Sequence, residues 1–191
     1  MPSATVPPGV CLFTQGESIA EVMLINEGVV KLVRVEADGH ELILGLRLAG
    51  EYLGSTSALL DHPLQASAIT LSQCRIQRIP ARVFLDHISE PEFSWQLHRL
   101  HSREIHDNIR RMAQLGCLRS RQRLEHVLRE FAKATSAGRD VHLQLPMRHY
   151  EMARWIGVTP EHLSRLLHQM QAEGLIRVDA GAITIPDPAK L

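Results

Sequence analysis

Cysteine is scarce in this 191-residue sequence, and no two cysteines lie close together. Cys11, Cys74 and Cys117 form no CxxC pair. Small disulfide-dependent domains and cysteine-ligated iron–sulfur clusters both need closely spaced sets of this residue. The spacing therefore argues against both, and we expect the three cysteines to be buried free thiols.

Long apolar segments are also missing. No run reaches about 18 apolar residues, the length that a membrane-spanning helix needs, and the N-terminus lacks the pattern of a secretion signal. The sequence therefore predicts a cytoplasmic protein without a membrane partner. Its length and its 45% hydrophobic content suffice for one large domain or two modest ones.

The formal net charge is zero, which by itself does not suggest a nucleic-acid partner. The charge is divided unevenly, however. Residues 1–118 have 10 Lys and Arg against 13 Asp and Glu, whereas residues 119–191 have 11 against 8. The C-terminal part is thus modestly basic, which is consistent with a domain that faces DNA phosphates.

Short apolar runs separated by glycine characterise residues 10–80. Runs of about four to eight residues with regular turn signals are typical of an antiparallel sandwich or barrel. Asp38-Gly39 is the clearest hairpin turn, and Ser55 to Leu60 indicates one helical turn between strands. The Pro-rich residues 1–9 are expected to be irregular. We therefore predict a β domain over residues 1–90.

A long helix is predicted next. After a short helix from Ala81 to Ile88, no turn signal occurs between about Pro91 and Gln114, and about 24 helical residues would extend about 36 Å. Its apolar residues are too numerous for one buried stripe. The 3-4-3 spacing of a two-stranded coiled coil is matched by Ile105, Asn108, Met112 and Leu115. We predict a dimerisation helix over residues 91–116; the alternative is a helix buried within one subunit.

The stretch from Arg148 to Ile176 has the pattern of a helix-turn-helix. Gly157 can adopt the left-handed backbone that ends a first helix, and Thr159 followed by Pro160 is suited to start a second one. The second helix is two-sided, with an apolar face made of Leu163, Leu166, Leu167 and Met170. Its polar face carries Glu161, Ser164, Arg165 and His168.

That polar face is a candidate DNA-reading surface. Arginine can fork onto guanine O6 and N7, and glutamate can accept from cytosine N4 in the major groove. The alternative is an ordinary amphipathic surface helix.

A basic helix is predicted before this unit, from about Arg119 to Thr135, with VHLQLP as a short strand after it. LIRV and AITIP flank Asp179-Ala180-Gly181 and predict a small hairpin, or wing, so that residues 117–191 form one DNA-binding domain.

Taken together, these motifs resemble the CRP/FNR family, the cyclic-AMP receptor proteins and fumarate–nitrate regulators. The matching segments are LFTQGE, LINEGVVKL, GEYLG, the long helix and GVTPEHLSRLL with its wing. The resemblance implies an α+β chain with an N-terminal antiparallel β jelly roll, a long dimerisation helix and a C-terminal winged helix-turn-helix. Such a homodimer would bind a palindromic site in double-stranded DNA. RNA polymerase stays open as a partner, and so does the choice between activation and repression.

The resemblance is closer to the fumarate–nitrate branch at the DNA surface. That branch has Glu, Ser and Arg where this chain has Glu161, Ser164 and Arg165, whereas the cyclic-AMP receptor branch has a further arginine at the position of Pro160. The resemblance implies a TTGA-type half-site, with Arg165 reading guanine, Glu161 reading an amino group and Ser164 near a thymine. The remaining candidate DNA-binding residues are His168, Thr159 and Arg148.

The sensor half departs from the cyclic-nucleotide pattern of the family. Cyclic-AMP binders have a glutamate after the pocket glycine and an arginine before a serine, but here Ser55 follows Gly54 and Ala66 precedes Ser67. Without that arginine a phosphate would be buried with no paired cation, so cyclic AMP is disfavoured. An iron–sulfur cluster is disfavoured because the family's four-cysteine set is missing. The candidate effector-pocket residues are Gly54, Ser55, Ser67, Asn108 and Ile109.

Histidines leave haem open as a cofactor, because imidazole is a common haem ligand. His98 and His101 lie one helical turn apart, and His87 and His106 are near them in sequence. The alternative is that these side chains are polar residues on the surface of the long helix. We expect a small ligand, or a gas signal sensed through haem, to bind in the jelly roll and control the protein. The alternative is a vestigial pocket and a regulator that needs no effector.

An enzyme is the alternative from a different class, because metal-dependent cupins are also jelly rolls. Their metal sites need two or three histidines and a carboxylate at close spacing. The sandwich region offers only His40 and His62, with no HxH motif, and no nucleophile motif or phosphate-binding loop is present. We therefore predict no catalytic residues and no metal site.

Overall fold

The computed structural model describes residues 3–39, 41–135, 141–143, 147–179 and 182–191. Within these ranges the chain forms two compact units, one up to Asn108 and one from Ile109 onward. The division falls inside the long helix. None of the helices in these ranges combines the length and the apolar character that a membrane span requires.

The first unit is built on two four-stranded antiparallel sheets. Its strands are β1 (Ser3–Val6), β2 (Cys11–Phe13), β3 (Glu21–Glu27), β4 (Val30–Val35), β5 (Glu41–Arg47), β6 (Tyr52–Leu53), β7 (Ser67–Thr70) and β8 (Cys74–Pro80). One sheet has the order β1-β8-β3-β6 and the other has the order β2-β7-β4-β5. The predicted jelly roll is confirmed.

Apolar side chains from both sheets fill the core between them. The buried residues of this core include Leu12, Ile25, Val30, Leu53, Ala68 and Ile76. The Asp38-Gly39 turn joins β4 to β5 as predicted, with Gly39 at φ 81° and its N–H donating to the carbonyl of Glu36 at 2.9 Å. Glycine tolerates this positive φ because it lacks a Cβ.

Two expectations were wrong, one for the N-terminal residues of this unit and one for the cysteines of the whole chain. Ser3–Val6 is not irregular but pairs with β8, because Pro7 and Pro8 follow the strand and so end it without interrupting its hydrogen bonds. Only Cys74 is a buried thiol; Cys11 and Cys117 are exposed. Cys11 lies on a short strand, and Cys117 is the last residue of the long helix.

Three helices follow or interrupt the sheets: α1 (Ser55–Leu60), α2 (Ala81–His87) and α3 (Pro91–Cys117). Aromatic rings join them to the sandwich. The ring centroids of Tyr52, Phe84 and Phe93 lie 5.5 to 6.1 Å apart, and Phe84 is fully buried. This cluster fixes the beginning of α3 against the first unit. Helix α3 is longer than predicted, because hydrogen bonding continues through Gly116 to Leu118, whose N–H donates to the carbonyl of Gln114.

The second unit contains α4 (Ser120–Thr135), β9 (Val141–Leu143), α5 (His149–Ile156), α6 (Pro160–Ala172), β10 (Arg177–Asp179), β11 (Ala182–Ile185) and a short 3-10 helix (Pro188–Lys190). Its strands form one antiparallel sheet in the order β10-β11-β9. The core joins the buried faces of α4, α5 and α6 to this sheet through Leu124, Leu128, Ile156, Leu163, Met170 and Ile185. The predicted winged helix-turn-helix is confirmed.

Some sequence-based expectations lie outside the described residues. They are the loop at 136–140, the last part of the VHLQLP segment at 144–146, the tip of the wing at 180–181, and His40.

Candidate functional site

The turn between α5 and α6 has the geometry that its sequence predicts. Gly157 ends α5 with φ 68°, and its N–H donates to the carbonyl of Arg154. Thr159 caps α6, because its hydroxyl accepts from the N–H of His162 at 3.3 Å, and Pro160 occupies the first helical turn. Gly157 thus ends α5 and Thr159 begins α6, so the turn between the two helices is short.

Arg123 on α4 reinforces this turn and was not predicted from the sequence. Its Nε donates to the carbonyl of Ile156 at 2.7 Å, and its Nη1 donates to the carbonyl of Leu118 at 2.7 Å. Its Nη2 reaches the carbonyl of Gly157 at 3.3 Å. A cation at the C-terminus of α5 satisfies carbonyls that have no partner within the helix.

Helix α6 buries one face and exposes the other. Leu163, Leu166, Leu167 and Met170 are buried in the core of the second unit. Glu161, Arg165 and His168 are exposed on the opposite side, and Ser164 is half-buried between them. The exposed side chains of the polar face are therefore accessible to a macromolecular ligand that lies along the helix.

Glu161 is oriented by neighbours at the start of α6. Hydrogen bonds from its own backbone N–H and from the hydroxyl of Thr159, together with the nearby charge of Arg165, hold the pKa of the Glu161 carboxyl below its usual value. The side chain is thus an ionised acceptor at neutral pH. An ionised acceptor is the chemistry that a base amino group requires.

Arg165 is held by a histidine that the sequence did not single out. Its Nη2 lies 3.3 Å from Nδ1 of His162, and Nε2 of the same imidazole lies 2.8 Å from the hydroxyl of Ser120 at the start of α4. The signal available in the sequence was the spacing of three residues between His162 and Arg165, which places the two on one helix face.

Arg148, a predicted DNA-binding residue, forms the N-cap of α5. Its backbone N–H donates to Oε2 of the buried Glu151 at 2.7 Å, and Arg148 itself is exposed. The N-cap geometry gives this residue a structural role besides any contact with DNA.

The predicted effector residues occupy different environments in the first unit. Gly54 precedes α1 with φ 80°, and Ser55, with 2% of its surface exposed, is hydrogen-bonded through Oγ to Nε2 of His101 at 3.1 Å. The hydroxyl of Ser67 accepts from the backbone N–H of Gln15 at 3.0 Å. Asn108 is exposed. The structure thus brings together Ser55 and a histidine that was considered as a haem ligand.

An ion pair joins β5 to α3, one helical turn after His101. Nε of Arg47 on β5 is 3.1 Å from Oε1 of Glu104, and both side chains are largely buried. Burial raises the pKa of Glu104, and the charge of Arg47 opposes that rise. Burial also raises the pKa of the neighbouring Glu51 and, with the nearby His98 and Arg47, lowers the pKa of His101. We call Arg47, Ser55, His101 and Glu104 the polar joint.

The other histidines considered for haem lie on the surface. Nδ1 of His98 contacts the carbonyl of Ser94 at 2.7 Å, and Nδ1 of His87 contacts the carbonyl of Val83 at 2.7 Å. His106 is exposed. Coordination of haem by His101 through Nε2 would require the bond to Ser55 to break. Within the described ranges, no three His, Cys, Asp or Glu side chains are arranged to hold a metal ion.

Apolar side chains of α3 lie open along one face. Trp95, Ile105, Ile109 and Met112 each have more than half of their surface exposed. Leu115 follows them along the helix with 38% of its surface exposed. In the second unit, Arg111 stacks on the ring of Trp155 at 3.4 Å and donates to its carbonyl. Ile109 lies on the exposed face, and its place in an effector pocket stays a prediction.

The N-terminal and C-terminal parts of the chain each match a known domain family. Residues 4–90 match the cyclic nucleotide-binding domain, and residues 122–191 match the Crp-like helix-turn-helix domain. The transcriptional activator protein FnrA of Stutzerimonas stutzeri is 30% identical over 190 residues, which cover 94% of this chain and 74% of FnrA. The cyclic AMP receptor protein of Thermus thermophilus is 27% identical over 186 residues, covering 97% and 84% of the two chains.

A solved structure supports the fold. The c-di-GMP responsive regulator CLP of Xanthomonas campestris superposes with a TM-score of 0.85 over 97% of this chain and 93% of that protein, at 20% sequence identity. The chain therefore belongs to the CRP/FNR family of DNA-binding transcription regulators.

Proposed function

We propose that this protein is a homodimeric regulator that reads inverted TTGA-type half-sites in promoter DNA with α6. The observation that carries the proposal is the polar row of Glu161, Ser164 and Arg165. Glu161 and Arg165 are exposed, Ser164 is half-buried, and the other face of the helix is buried in the core. We place the protein in the cytoplasm of a bacterial-type cell, because promoter DNA is its partner.

Each residue of this row has a distinct role in the proposal. Arg165 forks onto guanine O6 and N7, and the ionised Glu161 accepts from a cytosine or adenine amino group. Ser164 lies near a thymine. Thr159, His168 and Arg148 flank these three residues and contact the DNA backbone, which fixes the register without reading sequence.

Dimerisation through the exposed face of α3 supplies the second half-site reader. The exposed residues Trp95, His98, Ser102, Ile105, Ile109 and Met112 recur at alternating spacings of three and four. This is the spacing of a coiled-coil seam. We centre the seam on Ile105, Ile109 and Met112, because more than half of each of these apolar side chains is exposed. The predicted Asn108 and Leu115, which are also exposed, belong to its margin. Two α6 helices about 34 Å apart would then read half-sites centred about 10–11 bp apart.

The first unit acts in this proposal without cyclic AMP. Ser55 stands where the family's cyclic-AMP binders carry glutamate, and it is already bonded to His101. Arg47 is already paired with Glu104. A small ligand or haem would have to displace these bonds, so the polar joint favours the second candidate, a regulator that binds DNA without an effector.

Fluorescence anisotropy with a duplex of about 30 bp tests the proposed DNA site. The duplex carries two inverted TTGA-type half-sites, and control duplexes carry one half-site or none. We expect the two-site duplex to bind about 10³-fold more tightly than the duplex without half-sites at the same salt concentration.

Two variants assign the reading to α6. Arg165→Ala should lose about 1–3 kcal/mol on the two-site duplex. Arg129→Ala is the matched control, because it removes one arginine of the same unit from the exposed surface of α4. Equal affinity of the wild-type protein for all three duplexes would contradict the proposed site, and equal losses in the two variants would contradict the role of Arg165.

A further inference from the structure

His162 lies between the proposed base-reading arginine and the start of another helix. Nη2 of Arg165 is 3.3 Å from Nδ1 of His162, and Oγ of Ser120 is 2.8 Å from Nε2 of the same ring. Arg165 and His162 are one turn apart on α6, whereas Ser120 is 42 residues away in sequence. Ser120 thereby connects α6 to α4 through an imidazole.

The chemistry of the three groups fixes the tautomer of this imidazole. A guanidinium has only donors, so Nδ1 of His162 must present its lone pair to Arg165. A neutral imidazole with an unprotonated Nδ1 carries its proton on Nε2, and that proton is donated to the hydroxyl of Ser120. The two distances are therefore consistent with a single protonation state, the neutral Nε2–H form.

We propose that His162 is a positioning residue for Arg165, and that Ser120 selects the tautomer in which it can act. The inference rests on the proposed function, in which Arg165 reads guanine. The bond to His162 restricts an exposed, flexible side chain before DNA arrives. Less rotamer freedom is then lost on binding, and the discrimination between guanine and other bases increases.

The bond to His162 leaves the base-reading donors of Arg165 available. A guanidinium has five N–H groups, of which this bond uses one. Nη1 and the second hydrogen of Nη2 can still fork onto guanine O6 and N7. Arg165 can therefore keep its bond to His162 while it contacts guanine.

The test measures discrimination, because a general loss of affinity would not separate positioning from packing. The readout is the ratio of dissociation constants for the two-site duplex with 7-deazaguanine and with guanine in each half-site, since 7-deazaguanine lacks the N7 acceptor. We expect His162→Ala to reduce this ratio about fivefold, the order of one typical intramolecular hydrogen bond. His162→Asn, whose Oδ1 can replace Nδ1 as acceptor, should restore most of it.

A double-mutant cycle shows whether His162 acts through Arg165. In the Arg165→Ala background, His162→Ala should change the ratio no further. An undiminished ratio in His162→Ala, or the same further loss in the Arg165→Ala background, would overturn the inference.

A measurement without DNA separates failure of the inference from failure of the proposed function. Nitrogen-15 chemical shifts of the His162 side chain report its tautomer, and we expect the Nε2–H form in the wild-type protein and a mixture in Ser120→Ala. If Arg165→Ala itself leaves the ratio unchanged, the guanine assignment fails whatever His162 does. If the tautomer is Nδ1–H, the inference fails even when Arg165 reads guanine. His162→Asn and Ser120→Ala carry the test if His162→Ala does not fold.

Discussion

Oγ of Ser55 lies 3.1 Å from Nε2 of His101, which connects the first residue of α1 to the middle of α3. Ser55 occupies the position after the pocket glycine, where the family's cyclic-AMP binders carry a glutamate. In this chain the serine is buried, and its hydroxyl has a partner from the same polypeptide. The first turn of α1 and the middle of α3 are thus joined here by two side chains.

His101 should make the stability of the protein depend on pH. Burial lowers its pKa, so the unfolded chain binds a proton more tightly than the folded one does. The free energy of unfolding should therefore be fully retained above about pH 6.5 and should decrease as the pH falls from there toward the lower pKa of the folded state. The pKa values of Glu51 and Glu104 are raised, so the folded chain binds their protons more tightly than the unfolded one does. These two carboxyls therefore increase the free energy of unfolding as the pH falls, at the lower pH values where carboxyls titrate.

Urea denaturation of His101→Gln isolates this contribution. Its amide can still donate to Ser55 but does not titrate, so the decrease between about pH 6.5 and about pH 5.5 should be smaller than in the wild-type protein. His106→Gln, an exposed position of the same helix, serves as the control and should retain the wild-type slope. Identical slopes in all three proteins would show that His101 is not the group responsible.

The ion pair between Arg47 and Glu104 predicts a loss of stability when one partner is removed. Only 14% and 16% of the two side chains are exposed, so an unpaired Arg47 would remain in a poorly solvated place. Glu104→Gln should lower the free energy of unfolding by about 1–2 kcal/mol, because the charge is lost while an oxygen remains.

The double variant Arg47→Met/Glu104→Met is the control for this reasoning. Since two apolar chains need no partner, it should lose less than the two single methionine substitutions combined. Chemical denaturation measures all four proteins. Strict additivity would show that the two residues do not depend on each other.

The exposed face of α3 predicts the association of two copies. Ile109 lies at its centre with 58% of its surface exposed, so Ile109→Glu would place two carboxylates together in the proposed seam. We expect the dimer to dissociate about 100-fold more readily, a change of about 2.7 kcal/mol. Gln96→Glu, which adds the same charge on another face of the helix, should leave the association unchanged.

Sedimentation equilibrium measures this association directly. The DNA experiment gives a second readout, because monomeric Ile109→Glu should bind the two-site duplex no more tightly than the one-site duplex. A wild-type protein that is monomeric at micromolar concentration, or a variant that dimerises normally, would place the interface elsewhere.

Arg123 predicts how strongly α4 supports the turn of the helix-turn-helix. Its guanidinium donates to the carbonyls of Leu118, Ile156 and Gly157, and its loss would leave the end of α5 without these donors. Arg123→Met should reduce the free energy of unfolding by about 1.5–3 kcal/mol, the range for hydrogen bonds to charged groups. Arg129→Met, on the exposed surface of α4, should lose less than about 0.5 kcal/mol in the same denaturation experiment.

Local signals in the sequence predicted most elements of this fold. Gly157, the Thr159-Pro160 pair and Asp38-Gly39 each specify backbone geometry within a few residues, and the structure has the predicted turn at each place. The strand Ser3–Val6 was missed because its partner, β8, lies about 70 residues further along the chain. A short edge strand gains its stability from that partner and carries little pattern of its own.

The contacts that organise the candidate sites could not be predicted from the sequence for a related reason. Ser55 and His101 are 46 residues apart, and Ser120 and His162 are 42 residues apart. Nothing in the local pattern distinguishes His101 or His162 from the exposed histidines of the same helices. Only the packing of distant elements brings a hydroxyl partner to each of these two imidazoles.

Unbiased selection of DNA by the purified protein tests whether α6 reads inverted TTGA-type half-sites, without assuming the sequence in advance. A library of random duplexes is enriched on the wild-type protein and on Arg165→Ala, and the recovered sequences are compared. We predict an inverted repeat of TTGA-type half-sites centred about 10–11 bp apart for the wild-type protein, and loss of the preference for guanine in each half-site for the variant. Recovery of no common sequence, of a single unrepeated element, or of the same repeat by both proteins would contradict the account.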